Sequence, residues 1–276
     1  MTPQSISVII STYNNPEWLE KTLWGYENQN FKDFDIMIAD DGSKEATATL
    51  IKKFQTETKL SIKHIWHPDN GFQKCEILNQ AILASDAEYL IFTDHDCIPR
   101  EDFVERHHKY AEDGYFLSGG YFKLPMSISK AIGRNDILTG DAFDPKWLHQ
   151  QGMKTTFKET KLWRVPVYAS ILNFITPAHA SWNGCNSSCW RKDALLVNGF
   201  NTEMKYGGLD REFGERLVNA GLKSKQLRYS LIAIHLDHER PYKTKEQLAA
   251  NLQIRKNVRK KKVVKTPTGI ENLDKA

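Results

Sequence analysis

The first hundred residues alternate between short β-branched, apolar runs and longer stretches whose apolar residues have helical spacing. The strand-like runs are residues 5–11, 35–39, 60–66 and 89–93, and the helix-like stretches are residues 16–28, 45–55 and 71–84. Because successive βαβ units form parallel strands joined by right-handed crossovers, this order predicts helices on both faces of a sheet. The expected fold is an α/β fold with a mostly parallel, Rossmann-like sheet flanked by helices.

Acidic clusters follow two of the four predicted strands. Asp40 and Asp41 come after the second strand, and Asp94-His95-Asp96 follows the fourth. In open α/β sheets, ligands bind beyond the carboxyl ends of the strands, so both clusters are candidates for a ligand site. Two carboxylates one residue apart repel each other, and a hard divalent cation bound through their oxygens relieves this repulsion. The alternatives are an ordinary turn for the first cluster and, for the second, a polar loop with a structural His.

The predicted strands are not followed by a glycine-rich phosphate loop, because neither G-x-G-x-x-G nor G-x-x-x-x-G-K-S/T occurs there. Residues 11–15, Ser-Thr-Tyr-Asn-Asn, instead offer hydroxyls, amides and an aromatic ring after the first strand. A carboxylate of the first acidic cluster is suited to accept a hydrogen bond from a uracil N–H or a ribose hydroxyl. Since no loop of backbone amides is available for the phosphates, a metal ion is expected to neutralise them.

Several motifs resemble those of family 2 glycosyltransferases, which are inverting enzymes with the GT-A fold. These motifs are residues 7–14 (SVIISTYN), 40–43 (DDGS), 79–81 (NQA) and 94–96 (DHD). Residues 182–186 (WNGCN), 199–200 (GF) and 206–213 (YGGLDREF) resemble the acceptor half of β-1,4-galactosyltransferases and of bacterial chondroitin-polymerase-like enzymes. The resemblance covers residues 5–240 and implies a UDP-sugar donor and a carbohydrate acceptor.

Transferred residue by residue, the resemblance implies a donor site on the nucleotide half. Its residues are Thr12, Tyr13, Asn14, Asp40, Asp41, Lys74, Asn79, Asp94, His95 and Gly208. Among them, Asp40 would hold the uridine together with Thr12 and Tyr13, and Asp41 is a second candidate. Lys74 would occupy the basic position near the nucleotide.

The resemblance also implies a metal site made of acidic residues and a late histidine. Asp94 would contact the ribose or the metal, and Asp96 would bind the metal directly. His235, which follows the apolar run 231–234, would be the third ligand, with His238 as the alternative. Because imidazole is acceptable to Mn²⁺ and poor for Ca²⁺ or Mg²⁺, the expected ion is Mn²⁺, with Mg²⁺ as the second choice.

Inverting transfer is a single displacement at the anomeric carbon, in which the acceptor hydroxyl loses its proton as it attacks. Asp210 matches the last acid of the family's acidic pair and would be the catalytic base, but the preceding acid is replaced by Leu209. The alternative for Asp210 is the N-cap of a helix with a buried stripe that includes Phe213. The implied acceptor-binding residues are Trp182, Asn183, Gly207, Leu209 and Asp210, although buried packing explains Trp182 equally well.

Three functions from different classes fit these residues. The first is a UDP-sugar transferase, whose donor sugar by resemblance is a hexose or N-acetylhexosamine, with Gal or GalNAc favoured. Its acceptor would be a surface-polysaccharide or lipopolysaccharide intermediate, either free or linked to a lipid. The second is a nucleotidyltransferase that makes the activated sugar, and the absence of a basic glycine-rich loop after the first strand disfavours it. The third is a carbohydrate-binding protein without activity, which the retained acidic residues disfavour.

The chain carries a net charge of +4, yet seven basic residues lie between positions 255 and 265, so the rest is mildly acidic. This asymmetry disfavours nucleic-acid binding, which calls for a basic folded face. The expected division is a nucleotide-sugar half (residues 1–117), an insertion and acceptor half (118–240, with 123–177 beside the cleft) and a basic helical tail (241–276). The tail is expected to make a peripheral, salt-sensitive contact with an anionic membrane, or else to be a disordered solvated end.

Four scattered cysteines, no signal-like start and no apolar run of about 20 residues favour a reduced, cytoplasmic location. A peripheral position on the inner face of the cytoplasmic membrane is consistent with the basic tail. The sequence leaves the oligomeric state open.

Overall fold

The structure, a computed structural model, describes residues 2–177, 180–239 and 244–275. The strands are β1 (Ile6–Thr12), β2 (Asp35–Asp40), β3 (Ser61–Trp66), β4 (Tyr89–Asp94), β5 (Cys97–Pro99), β6 (Tyr115–Lys123), β7 (Ser187–Trp190) and β8 (Lys223–His235). The helices are α1 (Pro16–Glu27), α2 (Glu45–Glu57), α3 (Lys74–Ala84), α4 (Phe103–Tyr110), α5 (Met126–Ala131), α6 (Arg134–Leu138), α7 (Pro145–Gln150), α8 (Pro166–Ile175), α9 (Arg191–Leu196), α10 (Leu209–Asn219) and α11 (Lys245–Lys261). Short 3₁₀ helices occupy Asp141–Phe143, Phe157–Leu162 and Ile270–Lys275.

The strands form one sheet in the order β3-β2-β1-β4-β7-β6-β8-β5. The first four strands in this order are parallel, as the alternation of strands and helices predicts. β7 runs antiparallel to β4 and to β6, and β5 runs antiparallel to β8. Every residue of β1 is buried, as expected for a central strand covered on both faces. The mostly parallel α/β fold is confirmed, while the antiparallel strands of the second half were not predicted.

Helix α1 begins where the sequence predicts and carries the chain away from the cleft. Asn15 is its N-cap, and the side-chain oxygen of Asn15 accepts a hydrogen bond from the backbone N–H of Trp18 at 3.3 Å. Pro16 occupies the first turn, where a missing N–H costs nothing. Leu19 and Leu23 pack into the core. Because β1 ends at Thr12, only three residues before Asn15, the capped end of α1 lies near the carboxyl end of β1.

The weakly patterned region from 123 to 177 is folded and has its own apolar cluster. Phe122, Ile128, Phe143 and Leu148 are buried there together with Ile232 of β8. Short helices replace regular periodicity in this part of the chain, which is why the sequence pattern was difficult to interpret.

The basic C-terminal segment contains the predicted helix, α11, and this helix is docked on α10. The side chain of Asn251 is buried, Val258 is buried, and Arg255 forms an ion pair with Glu215 at 2.6 Å. The alternative of a disordered, solvated end is therefore wrong for residues 244–275, because α11 is part of the packed structure, while the peripheral membrane contact of this segment stays a prediction. The expected boundary at 241 lies outside the described residues.

All four cysteines are buried and none is in a disulfide. Among the described residues, no helix combines the length and apolar character required to cross a bilayer.

Candidate active site

A cleft with a volume of about 810 Å³ lies at the carboxyl edge of the parallel strands. The strand register explains its position, because Ser11 pairs with Asp94 of β4 and Thr12 pairs with Asp40 of β2. The polar residues that follow β1, β2 and β4 therefore meet at one edge. The cleft is within the usual size range of small-molecule sites, about 300 to 1,000 Å³.

Most of the sequence-predicted site residues line this cleft. They are Thr12, Tyr13, Asn14, Asp41, Lys74, Asp94, His95, Asp96, Asn183, Gly207, Gly208, Leu209, Asp210 and His235. The structure thus brings together the residues implied for donor, metal, acceptor and base, although they come from distant parts of the chain.

Asp94 is the centre of a polar cluster on the donor side. Its Oδ1 accepts hydrogen bonds from the Lys74 ammonium and the Ser11 hydroxyl, each at 2.6 Å. Burial alone would raise the pKa of Asp94, but the adjacent Lys74 charge outweighs burial and holds the pKa below its usual range. Burial likewise acts to lower the pKa of Lys74, and attraction to Asp94 and Asp210 raises it instead. Both groups are therefore charged at neutral pH.

Two imidazoles face the second acid of the DHD motif. His238 Nε2 lies 2.9 Å from Asp96 Oδ2, and His235 Nε2 lies 3.7 Å from the same oxygen. Burial would raise the pKa of Asp96, yet the hydrogen bond from His238 and the charge of His235 keep it below its usual range. The Cys97 thiol adjoins Asp96 and His235, but burial raises its pKa and keeps it protonated. One carboxylate oxygen and two imidazole nitrogens thus converge on one point.

This donor set fits a divalent cation. Carboxylate oxygen suits Mn²⁺ and Mg²⁺, whereas imidazole favours transition metals, so the mixed set fits Mn²⁺ better than Mg²⁺. His235 and His238 are alternatives from sequence alone, and the structure places both of them against Asp96.

Asp210 adjoins this donor-side cluster and lies in the first turn of α10. The N-cap of this helix is Gly208, so the alternative in which Asp210 is itself the N-cap is wrong. Asp210 shares a small recess with Lys74 and Asp94, and its Oδ1 has no hydrogen-bond partner among the described residues. Burial raises the pKa of Asp210 to about 6, against the opposing attraction of Lys74. A carboxylate with this pKa is suited to accept a proton near neutral pH.

The recess around Asp210 requires a glycine at position 184. A Cβ built on Gly184 would lie 2.3 Å from Asp210 Oδ1, which is closer than any allowed contact. Gly184 therefore permits the backbone before β7 to approach the carboxyl group. This glycine belongs to the WNGCN motif at residues 182–186, but the sequence alone does not reveal its role.

The loop before α10 is held from behind by α11. Gly207 and Gly208 have φ angles of 99° and 86°, in the left-handed region that favours glycine. The Asn251 side-chain amide lies 2.9, 3.1 and 2.7 Å from the carbonyl oxygens of Lys205, Tyr206 and Gly207, respectively. Helix α11 thus supports a wall of the cleft, which the basic composition of this segment concealed.

The nucleotide end of the cleft is ordered by side-chain pairs across neighbouring strand ends. Asp41 accepts from the backbone N–H of Gln73 at 3.1 Å and pairs with His67 Nε2 at 2.8 Å. The Tyr13 hydroxyl donates to Asp69 at 2.9 Å. His67 and Asp69 follow β3, so the rule that ligand residues follow parallel strands, applied to this third strand, could have found them.

Three of the predicted site residues, Asp40, Asn79 and Trp182, do not line this cleft. Asp40 is fully buried and is bonded to the Ser43 backbone and to His64, so Asp41 is the acid that faces the cleft. Asn79 is fully buried and bridges the backbone N–H and carbonyl of Phe200 at 2.6 and 2.8 Å, which makes it structural.

Trp182 is also buried, with ring centroids of Phe92 and Phe213 at 5.3 and 4.7 Å. The buried-packing alternative is therefore confirmed for Trp182. His95 does line the cleft, but its Nδ1 lies 3.2 Å from the Ser11 carbonyl, so this ring also supports the loop.

The sheet order, the cleft at its carboxyl edge and the facing carboxylates define a glycosyltransferase with the GT-A fold. Residues 7–160 match the profile of glycosyl transferase family 2. Residues 170–244 match the profile described as the N-terminal domain of galactosyltransferase. Since the first match covers more than half of the chain, the protein belongs to glycosyltransferase family 2.

The curated relatives include much longer proteins. A chondroitin synthase of Pasteurella multocida is 34% identical over 231 residues, which cover 78% of this chain and 23% of that protein. A chondroitin synthase of Escherichia coli is 26% identical over 224 residues, covering 78% of this chain and 32% of that protein. The chain thus spans about a quarter to a third of the length of these two relatives.

Solved structures share the fold at low sequence identity. S. aureus TarS 1-349 in complex with UDP-GlcNAc has a TM-score of 0.60 and 14% identity, with 98% of this chain and 70% of that chain covered. The mannosyltransferase PcManGT of Pyrobaculum calidifontis, in complex with GDP-Man and Mn²⁺, has a TM-score of 0.59 and 17% identity. That alignment covers 88% of this chain and 59% of the mannosyltransferase.

Proposed function

We propose that this protein is an inverting, metal-dependent glycosyltransferase that moves a sugar from a UDP-sugar to a hydroxyl of a carbohydrate acceptor. The observation that carries the proposal is Asp210, a partly buried carboxyl with a raised pKa that shares a recess with Lys74 and Asp94. A candidate proton acceptor thus adjoins the charged cluster suited to a nucleotide diphosphate. In this assignment residues 1–117 bind the donor and residues 118–240 shape the acceptor site.

The metal would be held by Asp96, His235 and His238, with Mn²⁺ as the expected ion and Mg²⁺ as the second choice. A divalent cation bound there supplies positive charge that stabilises the departing diphosphate. Lys74 adds a fixed positive charge on the same side of the cleft. Thr12, whose hydroxyl has no hydrogen-bond partner among the described residues, is available to the nucleotide.

The chemistry assigned to Asp210 is general-base catalysis. As the acceptor oxygen forms its bond to the anomeric carbon, its proton passes to the Asp210 carboxylate and the bond from that carbon to the diphosphate oxygen breaks. The products are the glycosylated acceptor with inverted configuration, UDP and a protonated Asp210. Asn183, Gly207 and Leu209 line the cleft beside this carboxyl, where an acceptor would lie.

The donor is taken as a UDP-sugar because a fold neighbour carries UDP-GlcNAc, although another carries GDP-Man. The match to a galactosyltransferase profile and the similarity to chondroitin synthases favour Gal or GalNAc as the transferred sugar. By the same analogy the acceptor is a surface-polysaccharide or lipopolysaccharide intermediate, free or lipid-linked. Four free, buried thiols support a cytoplasmic location, at the inner face of the membrane if the acceptor is lipid-linked.

A donor screen tests this function. Purified protein with Mn²⁺ is incubated with UDP-Gal, UDP-GalNAc, UDP-Glc, UDP-GlcNAc and GDP-Man, and nucleotide release is measured with and without oligosaccharide acceptors. Release of UDP from one donor, stimulated by an acceptor and lost in Asp210→Asn, is the expected result. Binding of oligosaccharide without release of any nucleotide would instead indicate a carbohydrate-binding protein.

A further inference from the structure

The largest concentration of exposed apolar side chains in the described residues lies on helix α8. We define the α8 face as the five outward-facing residues Val167, Tyr168, Ile171, Phe174 and Ile175. Phe174 is 90% exposed, Val167 is 68% exposed, and the other three are about half exposed. Isolated exposed apolar residues are ordinary, but a contiguous group of this size on one helix marks an interaction surface.

The opposite side of α8 packs on the sheet. The α8 face is therefore the exposed side of a helix that is held in place. Ala169 is buried, and the Asn173 side chain donates to the Ser230 hydroxyl at 2.8 Å and accepts from the Tyr229 backbone N–H at 2.9 Å. These two bonds orient the helix on β8. Because these contacts fix the orientation of α8, the α8 face points toward solvent.

Basic residues outnumber acidic ones in the segment that contains the α8 face. Residues 145–177 contain one acid, Glu159, and this carboxylate is buried and paired with His149. The basic residues of the same segment are Lys146, Lys154, Lys158, Lys161 and Arg164, of which Arg164 is paired with Glu101. Burial and the nearby charges of Arg228 and Lys158 lower the pKa of Lys161, so these three basic groups lie close together beside β8. Trp163, 47% exposed, adjoins the α8 face with its ring centroid 6.1 Å from that of Tyr168, and Phe157 in the preceding 3₁₀ helix is 75% exposed. An apolar face with aromatic residues and a basic border is the pattern of a helix that lies in a membrane interface.

We propose that the α8 face docks on a membrane surface that contains anionic lipid, with its apolar side chains in the acyl boundary and the bordering lysines at the headgroups. Charge complementarity selects this occupant. A second copy of the chain placed on the same face about a two-fold axis would bring equal basic borders together and would be repelled.

This docking surface adjoins the cleft. Lys161, in the 3₁₀ helix before α8, donates to the Tyr121 carbonyl at 3.0 Å, and Tyr121 lines the cleft. Membrane docking through α8 would therefore hold one wall of the cleft near the bilayer. Docking of this kind implies that the acceptor is linked to a lipid. This implication rests on the proposed function.

Co-sedimentation with vesicles tests the inference on the full chain. The vesicles are phosphatidylcholine with or without phosphatidylglycerol, and the variant is Phe174→Glu, which places a charge on an already exposed position. The matched control is Leu196→Glu on α9, where an apolar side chain that is 53% exposed lies outside the α8 face. We expect the wild type to bind the anionic vesicles, Phe174→Glu to lose at least about tenfold in partitioning, and the control to bind normally.

A second variant separates α8 from the basic helix α11. Neutralising Lys256, Lys260 and Lys261 to Gln removes charge from α11 without touching α8, and we expect it to reduce vesicle binding less than Phe174→Glu does. Equal binding of Phe174→Glu and wild type, or no wild-type binding to anionic vesicles, would overturn the proposal. The proposal would also be overturned if Phe174→Glu differed from the wild type only in its oligomeric state, measured by analytical ultracentrifugation. That result would identify a second copy of the chain as the occupant of the α8 face.

UDP affinity in solution distinguishes this inference from the proposed function. Phe174→Glu should bind UDP as the wild type does, because Phe174 is not among the residues that line the cleft. Loss of vesicle binding with intact UDP affinity supports the docking surface, whereas vesicle binding by a protein that binds no nucleotide would contradict only the proposed function.

Discussion

Replacing Asp210 by Asn should make the protein more stable while it abolishes most of its activity. The carboxyl is partly buried, its pKa is raised from 3.8 to about 6 by burial, and its Oδ1 is without a hydrogen-bond partner among the described residues. A shift of about two pKa units corresponds to roughly 3 kcal/mol of cost for the ionised form in the fold. Solvent at the partly exposed carboxyl screens part of this cost, so we expect a gain of about 1 to 3 kcal/mol at pH above 7.

The sign of the effect depends on pH in a specific way. Because the folded pKa of Asp210 is above the unfolded value, the folded state keeps a proton that the unfolded chain has released. This contribution to stability is fully present below the unfolded pKa and is lost as pH rises through about 6. The stability advantage of Asp210→Asn should therefore be small near pH 4 and reach its full size above about pH 7.

Denaturant unfolding in EDTA at several pH values measures this difference, and UDP release measures the loss of transfer. We expect donor affinity to be kept and transfer to fall roughly 10²- to 10⁴-fold, the usual worth of general-base assistance. Asp193→Asn is the matched control, since burial also raises the pKa of Asp193 to about 6, but this residue is not among those that line the cleft. It should show the same pH-dependent stability change with normal transfer.

Two results would refute the reasoning about Asp210. A variant that is less stable than the wild type at pH 8 would mean that the ionised carboxyl is not penalised by the fold. A variant that transfers sugar at a nearly normal rate would mean that another group accepts the proton, although the electrostatic argument could still hold.

Further predictions concern the metal, the recess and the supporting helix. Asp96→Asn should weaken UDP binding strongly in the presence of Mn²⁺, and calorimetry that gives equal UDP affinity with and without EDTA would exclude a metal bridge. Gly184→Ala should displace the Asp210 carboxyl and lower transfer at least about tenfold with UDP affinity unchanged, because a Cβ there would lie 2.3 Å from it. Asn251→Ala should release the loop before α10, costing about 1 to 3 kcal/mol of stability and raising the donor KM. Gln253→Ala, on the exposed side of α11, should leave both quantities as they are in the wild type.

The sequence by itself determined the parallel half of the fold and the chemical character of the site. Strands with β-branched apolar residues on both faces need cover on both sides, and alternation with helices leaves parallel crossovers as the ordinary solution. The acidic residues at the end of β4 are therefore predicted from sequence to lie at the ligand-binding edge of the sheet. Local sequence patterns were sufficient because the apolar periodicity that predicts each strand or helix lies within a few residues.

Only the tertiary structure decided which polar residues reach the cleft. Asp40 and Asp41 are neighbours in sequence and both are buried, yet only Asp41 lines the cleft, because the backbone at the end of β2 directs the two side chains differently. Asn79 has a polar side chain typical of a ligand contact, but a partner 121 residues away in the chain satisfies it. The role of α11 was equally hidden, because the three carbonyls that face Asn251 belong to a loop more than forty residues earlier. Contacts between distant segments depend on packing, and neither composition nor periodicity encodes them.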